Sequence, residues 1–240
     1  MRGGERCLEV FCELFPRADL FTLLHVPGSV SETIERRRIT TSFIQGMPGA
    51  AQRYRHYLPL FPAAVRRFDL RGYDLVLSSS HAVAKGVRVP PGALHVCYCF
   101  TPMRYVWDLY DEYFGPRAGL LTRAVMPPLA AWLRRWDRRT AAGVHHFVAI
   151  SRFVADRIRR AYGRPADVIY PPVDVARFRV EEGPGDFYLV VSALTPYKRV
   201  DLAVAAASKL GRRLVVVGSG PEEARLRSLA GPTVELLGWR

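Results

Sequence analysis

Short apolar runs alternate with helical periodicities along the whole chain. "DLFTLLHV", "YDLVLSSS", "LHVCYCFT", "HHFVAIS" and "DVIYPPV" read as strands in the first 175 residues. Several are apolar on both faces, as strands buried in a parallel sheet are. Between them, "AQRYRHYLPLFPAAVRRF", "MRYVWDLYDEYF", "LAAWLRRWDRRTAA" and "ISRFVADRIRRAYG" carry helical spacing. In the last of these Phe153, Val154, Ile158 and Tyr162 are spaced for one face, and Gly163 followed by Pro165 ends the helix. The run "ERRRITTSF" (35–43) reads as a mobile basic loop. After "EEGPGD" (181–186), which has the composition of a linker, the pattern becomes strand, helix, strand, helix, strand. That βαβαβ order predicts right-handed crossovers and a parallel sheet. The expected organisation is α/β, with a first domain over 1–180, a linker over 181–186 and a second domain over 187–240. Three strands and two helices fall short of a doubly wound domain of ~150 residues, so the second domain is expected to be incomplete.

Composition adds a charge argument. The chain has 240 residues, of which 49% are apolar and 24% charged, so a packed core is expected. Its formal net charge is +13, nearly all from arginine, because Lys85, Lys198 and Lys209 are the only lysines. That balance favours phosphates, nucleic acid or an acidic membrane face as partners. A GC-rich genome would explain the arginine preference equally well, the net charge less so. Cys7 and Cys12 lie five apart on a helix, and Cys97 and Cys99 share one strand face, so neither pair is placed for a disulfide. Reduced thiols in a cytoplasmic protein are the simplest reading. No apolar leader opens the chain, and no window reaches the ~20 apolar residues of a membrane span. The histidines show no ligand spacing, and "SSSH" lacks the G-x-S-x-G elbow of a hydrolase. In "AAWLRRWDRRT", Trp132, Leu133 and Trp136 stand among four arginines. This helix either rests on an anionic bilayer or is a core helix with a solvated far face.

Two segments carry phosphate chemistry. "SALTPYKRVDLAVAA" (192–206) joins a strand end to a helix start, where α/β sheets bind ligands. Lys198 and Arg199 would meet a phosphate there beside free helix N–H groups, although a solvated basic loop has the same sequence logic. "VVVGSGPEEARL" (215–226) repeats the arrangement with Gly218, Ser219, Gly220 and Pro221. Its glycines would let the backbone approach a ligand, and Pro221 fits a first helical turn, but a structural turn reads the same way.

Together, "SALTPYKRVDLAVAA…LGRRLVVVGSGPEEARLRSLAG…VELLGW" resembles the donor-binding half of glycosyltransferase family 4. "RGGERCLEVFCELFPRADLFTLLHVPG", "YDLVLSSSHAVAKGV", "CYCFTPMRYVWDLYDEYF" and "SRFVADRIRRAYGRPADVIYPPVDVARF" extend the resemblance over essentially the whole chain. It points to the mannosyltransferase-like subgroup that builds lipopolysaccharide or related glycans. The resemblance implies the GT-B fold, with two Rossmann-like domains facing a cleft, the first lacking its initial strand. It implies a retaining transfer of a hexose, mannose foremost, from a nucleotide-diphosphate sugar such as GDP-mannose to a lipid-linked or saccharide acceptor. Neither cofactor nor metal is expected, since cations and helix N-termini would stabilise the leaving diphosphate. Lys198, with Arg199 as the lesser candidate, would pair with the diphosphate, and Gly218, Ser219, Gly220 and Pro221 would line the nucleotide pocket. Gly3 and Gly4 would form the loop after the absent first strand, close to the sugar phosphate of the donor. His81, Thr101, Arg104 and Tyr105 would face the acceptor. Peripheral contact with an anionic membrane at the cytoplasmic face is compatible with all of this, and no nucleic-acid partner is expected.

Four departures from the family pattern stand out. Ala193 takes the place of a frequent Arg, Phe100 that of a His near the donor sugar, and Ile150 that of an Asn. The E-x7-E segment is absent and would belong beyond Arg240, so the chain is expected to be clipped at both ends and impaired alone. Phe100 also leaves open a catalytically inactive relative, and the charge leaves open a basic binding protein.

Overall fold

The computed structural model describes residues 3–115, 119–179, 183 and 185–240, and the chain divides into two compact units, Met1–Val173 and Asp174–Arg240. The first unit opens with helix α1 (Gly3–Leu14), which buries Cys7 and Cys12. Strand β1 (Leu20–Thr22) follows, then a single helical turn α2 (Glu32–Glu35) and strand β2 (Ile39–Thr41). β2 pairs with β1 in parallel, Leu20 opposite Ile39 and Thr22 opposite Thr41. The basic run 35–43 is therefore not a mobile loop. Its β-branched Ile39-Thr40-Thr41 has the residue type that a pleated strand favours. Arg37 also ties it down, donating to the Cys12 carbonyl at 2.7 Å and to the Pro16 carbonyl, where a cation complements the end of α1.

Residues 51–68, read as one helix, are broken into α3 (Ala50–Arg53), a 3-10 stretch (Tyr54–Leu60) and α4 (Phe61–Val65). Pro59 and Pro62 explain the breaks, since each lacks the N–H that a continuous helix needs. Strands β3 (Leu75–Ser80) and β4 (Leu94–Cys99) come next. The "MRYVWDLYDEYF" segment is a set of turns before a short α5 (Tyr110–Phe114), and α6 (Leu120–Ala141) is the longest helix described. Strand β5 (His146–Ala149), helix α7 (Arg152–Tyr162) and strand β6 (Asp167–Val168) complete a parallel sheet of order β3-β4-β5-β6. Ser151 caps α7 by accepting from the Val154 N–H at 3.2 Å, and Gly163 ends it in the left-handed conformation. Its buried face is Val154, Ile158 and Ala161, and Phe153 is exposed. Phe153 stands about 100° around the helix from Val154 and 140° from Ile158, outside the buried stripe.

The strands of this unit thus form two sheets. Among the described residues β1 pairs only with β2 and β3 only with β4. One core packs Ile44, Phe61, Met103, Val106, Leu133 and Trp136, and a second packs Cys97, Cys99, Phe147 and Ile158. All four cysteines are buried and free.

The second unit contains β7 (Tyr188–Val191), α8 (Val200–Leu210), β8 (Leu214–Val217), α9 (Glu223–Leu229) and β9 (Val234–Gly238). Its three strands are parallel in the order β7-β8-β9, and Leu194, Val204, Val216 and Leu226 pack at its centre.

Candidate functional site

In the first unit, parallel pairing sets Ser80 opposite Cys99, so the residues that follow emerge together at the carboxyl edge of the sheet. The Phe100 N–H donates to the Ser80 carbonyl at 2.8 Å, which places His81 and Phe100 side by side. The first turn of α1 reaches the same edge, where a Cβ added to Gly4 would lie 3.8 Å from the Phe100 ring. Gly3 and Gly4 lie in the first turn of α1 and not in a loop. Phe100 meets Tyr98 edge-on at 5.5 Å, and Tyr98 meets Phe11 of α1 at 5.2 Å. An aromatic row thus anchors α1 to β4.

His81 is exposed as a residue, yet protein crowds its inner side. That burial pushes the imidazole below its ordinary pKa, and the Arg104 charge adds to the effect while Glu5 opposes it. Arg104 and Glu5 are thus both near enough to act on His81. Glu5 is not among the residues that motif and spacing single out. Its only signal was an acid in the first turn of a helix that begins at a strand-end edge. Thr101 is half-buried and its hydroxyl donates to the Pro102 carbonyl at 2.9 Å. Tyr105, expected beside Arg104 in the cleft, instead packs against the core with its hydroxyl buried and no hydrogen-bond partner among the described residues. The turn through Met103 and Val106, both fully buried, carries its ring inward. Ile150, just past β5, packs against the second core cluster.

Behind this edge lies a buried ion pair, Lys85–Asp137, that spacing along the sequence does not reveal. Lys85 Nζ donates to the Asp137 carboxylate, to the Asp137 carbonyl at 3.0 Å and to Thr140 Oγ1 at 3.2 Å. It sits over the rings of Trp136 and Tyr162 at 5.5 and 4.9 Å. The second Asp137 oxygen accepts from Trp107 Nε1 and the Tyr162 hydroxyl, both at 2.8 Å. Burial, then the Asp137 charge, hold the Tyr162 phenol well above its ordinary pKa, which keeps it a donor. This node pins the segment after β3 and the turn after β4 to α6 and α7, and those two segments carry His81 and Arg104.

In the second unit, the loops after β7 and β8 stack on each other. The Leu194 N–H donates to the Ser219 carbonyl at 2.9 Å, and the Glu222 N–H to the Leu194 carbonyl at 3.0 Å. Gly218 and Gly220 have φ of 143° and 159°, and a Cβ on either would collide with the Ser192 or Leu194 carbonyl. Close approach of a neighbouring loop therefore accounts for both glycines. Gly218 is buried, while Ser219 and Pro221 are exposed. Pro221 stands in a turn ahead of α9, two residues before its first helical residue.

The two candidate cations of this unit, Lys198 and Arg199, differ. Arg199, the N-cap of α8, is the only non-glycine residue with positive φ among those described, at 50°. Its guanidinium grips Asp201, Nε to Oδ1 at 3.0 Å, and hydrogen bonding to Arg199 lowers the Asp201 pKa. Lys198 is exposed, lies 5.7 Å from its neighbour's Tyr197 ring, and pairs with no carboxylate among the described residues. Ala193 adds no charge to the adjoining loop. Among the described residues no three His, Cys, Asp or Glu side chains cluster to hold a metal ion.

A family model described as Glycosyltransferase Family 4 matches residues 1–177. No curated protein gives a match. Among solved structures, the apo form of the lipopolysaccharide outer core galactosyltransferase WaaB aligns with a TM-score of 0.55 at 15% identity, over 100% of this chain and 65% of that one. AviGT4, a glycosyltransferase involved in avilamycin A biosynthesis, aligns with a TM-score of 0.41 at 21% identity, over 97% of this chain and 54% of that one. The chain thus spans less than two thirds of the WaaB chain. The likeness to WaaB is one of fold, the GT-B fold of Rossmann-like α/β units.

Proposed function

The chain belongs to glycosyltransferase family 4, and we propose that it serves a retaining transfer of a hexose, mannose foremost, from a nucleotide-diphosphate sugar to a lipid-linked or saccharide acceptor. The nucleotide sugar is a substrate, and no cofactor or metal forms part of the proposal. The observation that carries the donor side is Lys198, an exposed ammonium without a carboxylate partner among the described residues, at the junction of a strand and a helix. Departure of a nucleoside diphosphate leaves charge on the phosphates, and a positioned cation beside helix N–H groups stabilises it. Arg199 supports this reading indirectly. A left-handed arginine costs on the order of 1–3 kcal/mol, and such strain gathers at ligand sites. Gly218, Ser219, Gly220 and Pro221 would border the nucleotide, with the glycines acting through loop stacking. In the first unit, Glu5, His81, Thr101 and Arg104 would frame the acceptor side, at the cytoplasmic face of a membrane, with Gly4 beside Phe100 on the donor side. Phe100 favours a second reading, a relative that binds donor without transferring it, because its ring has neither donor nor acceptor where the family commonly places His.

Donor binding tests the proposal directly. Titration calorimetry with GDP-mannose and UDP-galactose is expected to show binding of one of them to the chain. Lys198→Ala is expected to weaken it about 10- to 100-fold, the worth of one charge-assisted hydrogen bond, with thermal unfolding unchanged. Arg199→Ala should cost less, since its charge is already engaged by Asp201. Equal affinity in wild type and the Lys198 variant would remove Lys198 from the site.

A further inference from the structure

Arg104 stands on a tight turn between β4 and α5, and that turn is held from two sides. On the inner side Met103 and Val106 are fully buried, the Val106 carbonyl accepts from Arg134 Nε, and Trp107 Nε1 donates to Asp137 at 2.8 Å. These ties run to the core and to α6. On the outer side Asp108 receives Arg157 of α7. Arg157 Nε donates to Asp108 Oδ2 at 2.8 Å, and a terminal guanidinium nitrogen donates to the same oxygen. The Arg157 side chain is only 11% exposed and lies 5.8 Å from the Phe153 ring, one turn back on α7. Asp108 is the one carboxylate it pairs with among the described residues. Val154 and Ile158, both buried, fix this part of α7, so the guanidinium stands on a rigid base. The Arg104 carbonyl in turn accepts from the Asp108 N–H at 3.1 Å and from the Leu109 N–H at 2.8 Å. Arg104 and Asp108 therefore move together.

We infer that Asp108 and Arg157 are positioning residues for the acceptor side of the site: their ion pair holds the turn so that the Arg104 charge bears on His81. The inference rests on the reading that His81 and Arg104 frame the acceptor. Core packing through Met103 and Val106 seats the turn without this pair. What the core leaves open is the tilt of the outer half, where Arg104 and Asp108 stand. A planar guanidinium donating twice to one carboxylate fixes direction as well as distance, which an ammonium does not. Cys99 of β4 lies opposite Ala149 of β5, so the pair joins the loop after β4 to the helix after β5 at the edge that carries His81. His81 is where the placement registers. Burial and the Arg104 charge both loosen its hold on a proton, and Glu5 tightens it. A neutral imidazole offers a sugar hydroxyl one acceptor and one donor nitrogen, whereas the imidazolium offers donors only. The position of Arg104 thus sets what His81 presents to an acceptor.

The test is an NMR titration of the His81 imidazole in the free 240-residue chain, its signal assigned among the six histidines by its loss in His81→Ala. Neither donor nor acceptor is needed, so donor binding and this inference fail independently. Arg104→Gln is expected to raise the His81 pKa and sets the full size of the effect. Asp108→Asn and Arg157→Lys are each expected to raise it toward that value, and neither should raise it further in the Arg104→Gln background. The signs separate positioning from simple charge. Removing an acid while Arg104 stays in place would lower the His81 pKa, and Arg157→Lys conserves charge, so a pair with only a structural role leaves that pKa where it is. An Asp108→Asn variant in which the His81 pKa falls or stays fixed overturns the inference. So does an unchanged value in Arg157→Lys or in Arg104→Gln.

Discussion

Asp137→Ala is expected to destabilise the protein by about 3–5 kcal/mol, the range for breaking a buried pair by removing one partner. The loss is not the worth of the salt bridge itself. It arises because the Lys85 ammonium would stay in the core without its counter-charge, and Trp107 Nε1 and the Tyr162 hydroxyl would each lose their acceptor. Urea unfolding at neutral pH measures it. Asp137→Asn keeps the shape and one acceptor oxygen, so an intermediate loss is expected and the variant remains foldable. Lys85→Met alone should also be costly, and the double variant Lys85→Met with Asp137→Asn should cost less than the sum of the two. A single Asp137→Ala variant within about 1 kcal/mol of wild type would show that the node is not desolvated as the structure has it.

The second large effect is a dependence of stability on pH. His95 of β4 is buried, and that burial holds its imidazole down to about 4, with the His145 and Lys85 charges acting in the same direction and the Gly143 carbonyl opposing. Nδ1 donates to that carbonyl at 3.4 Å and Nε2 lies 2.9 Å from Ser78 Oγ, so the neutral ring has a partner on each nitrogen. The unfolded chain, with an ordinary histidine near 6.5, binds the proton more readily than the folded one. Stability therefore rises with pH between about 4 and 6.5, is complete above that window and is lost as pH falls through it. At 1.36 kcal/mol per unit the difference amounts to about 3 kcal/mol. Unfolding free energies measured in urea across that window should show the slope in wild type, and His95→Gln should flatten it even if the variant is less stable at pH 7. Identical slopes in the two proteins would place the titration elsewhere.

How much of this was legible in the sequence depends on the range of the interaction responsible. The strands β3, β4, β5 and β7 to β9, and the helices α7 and α8, follow from periodicity and from local stops such as Gly163 and Gly211. The breaks at Pro59 and Pro62 were equally local, yet the surrounding apolar spacing masked them. β2 was hidden because three arginines precede it, and its strand character depends on pairing with β1, nearly twenty residues earlier. At the candidate site, Lys198 and Arg199 carry the same charge and lie next to each other in sequence. Only the turn that points one guanidinium at Asp201 separates them.

Sequence by itself determined the class of this protein: parallel α/β units, a basic and arginine-dominated surface, and the motifs of a glycosyltransferase family. These are properties of residue type and short-range spacing, which need no partner from elsewhere in the chain. Tertiary structure alone decided which residues those motifs expose. It turned Tyr105 into the core, brought the Glu5 charge within electrostatic reach of His81, gave Gly218 and Gly220 to loop stacking, and buried Lys85 against Asp137 some fifty residues away. Desolvation, charge proximity and steric contact depend on distance in space, and a chain of side chains read in order does not contain that distance.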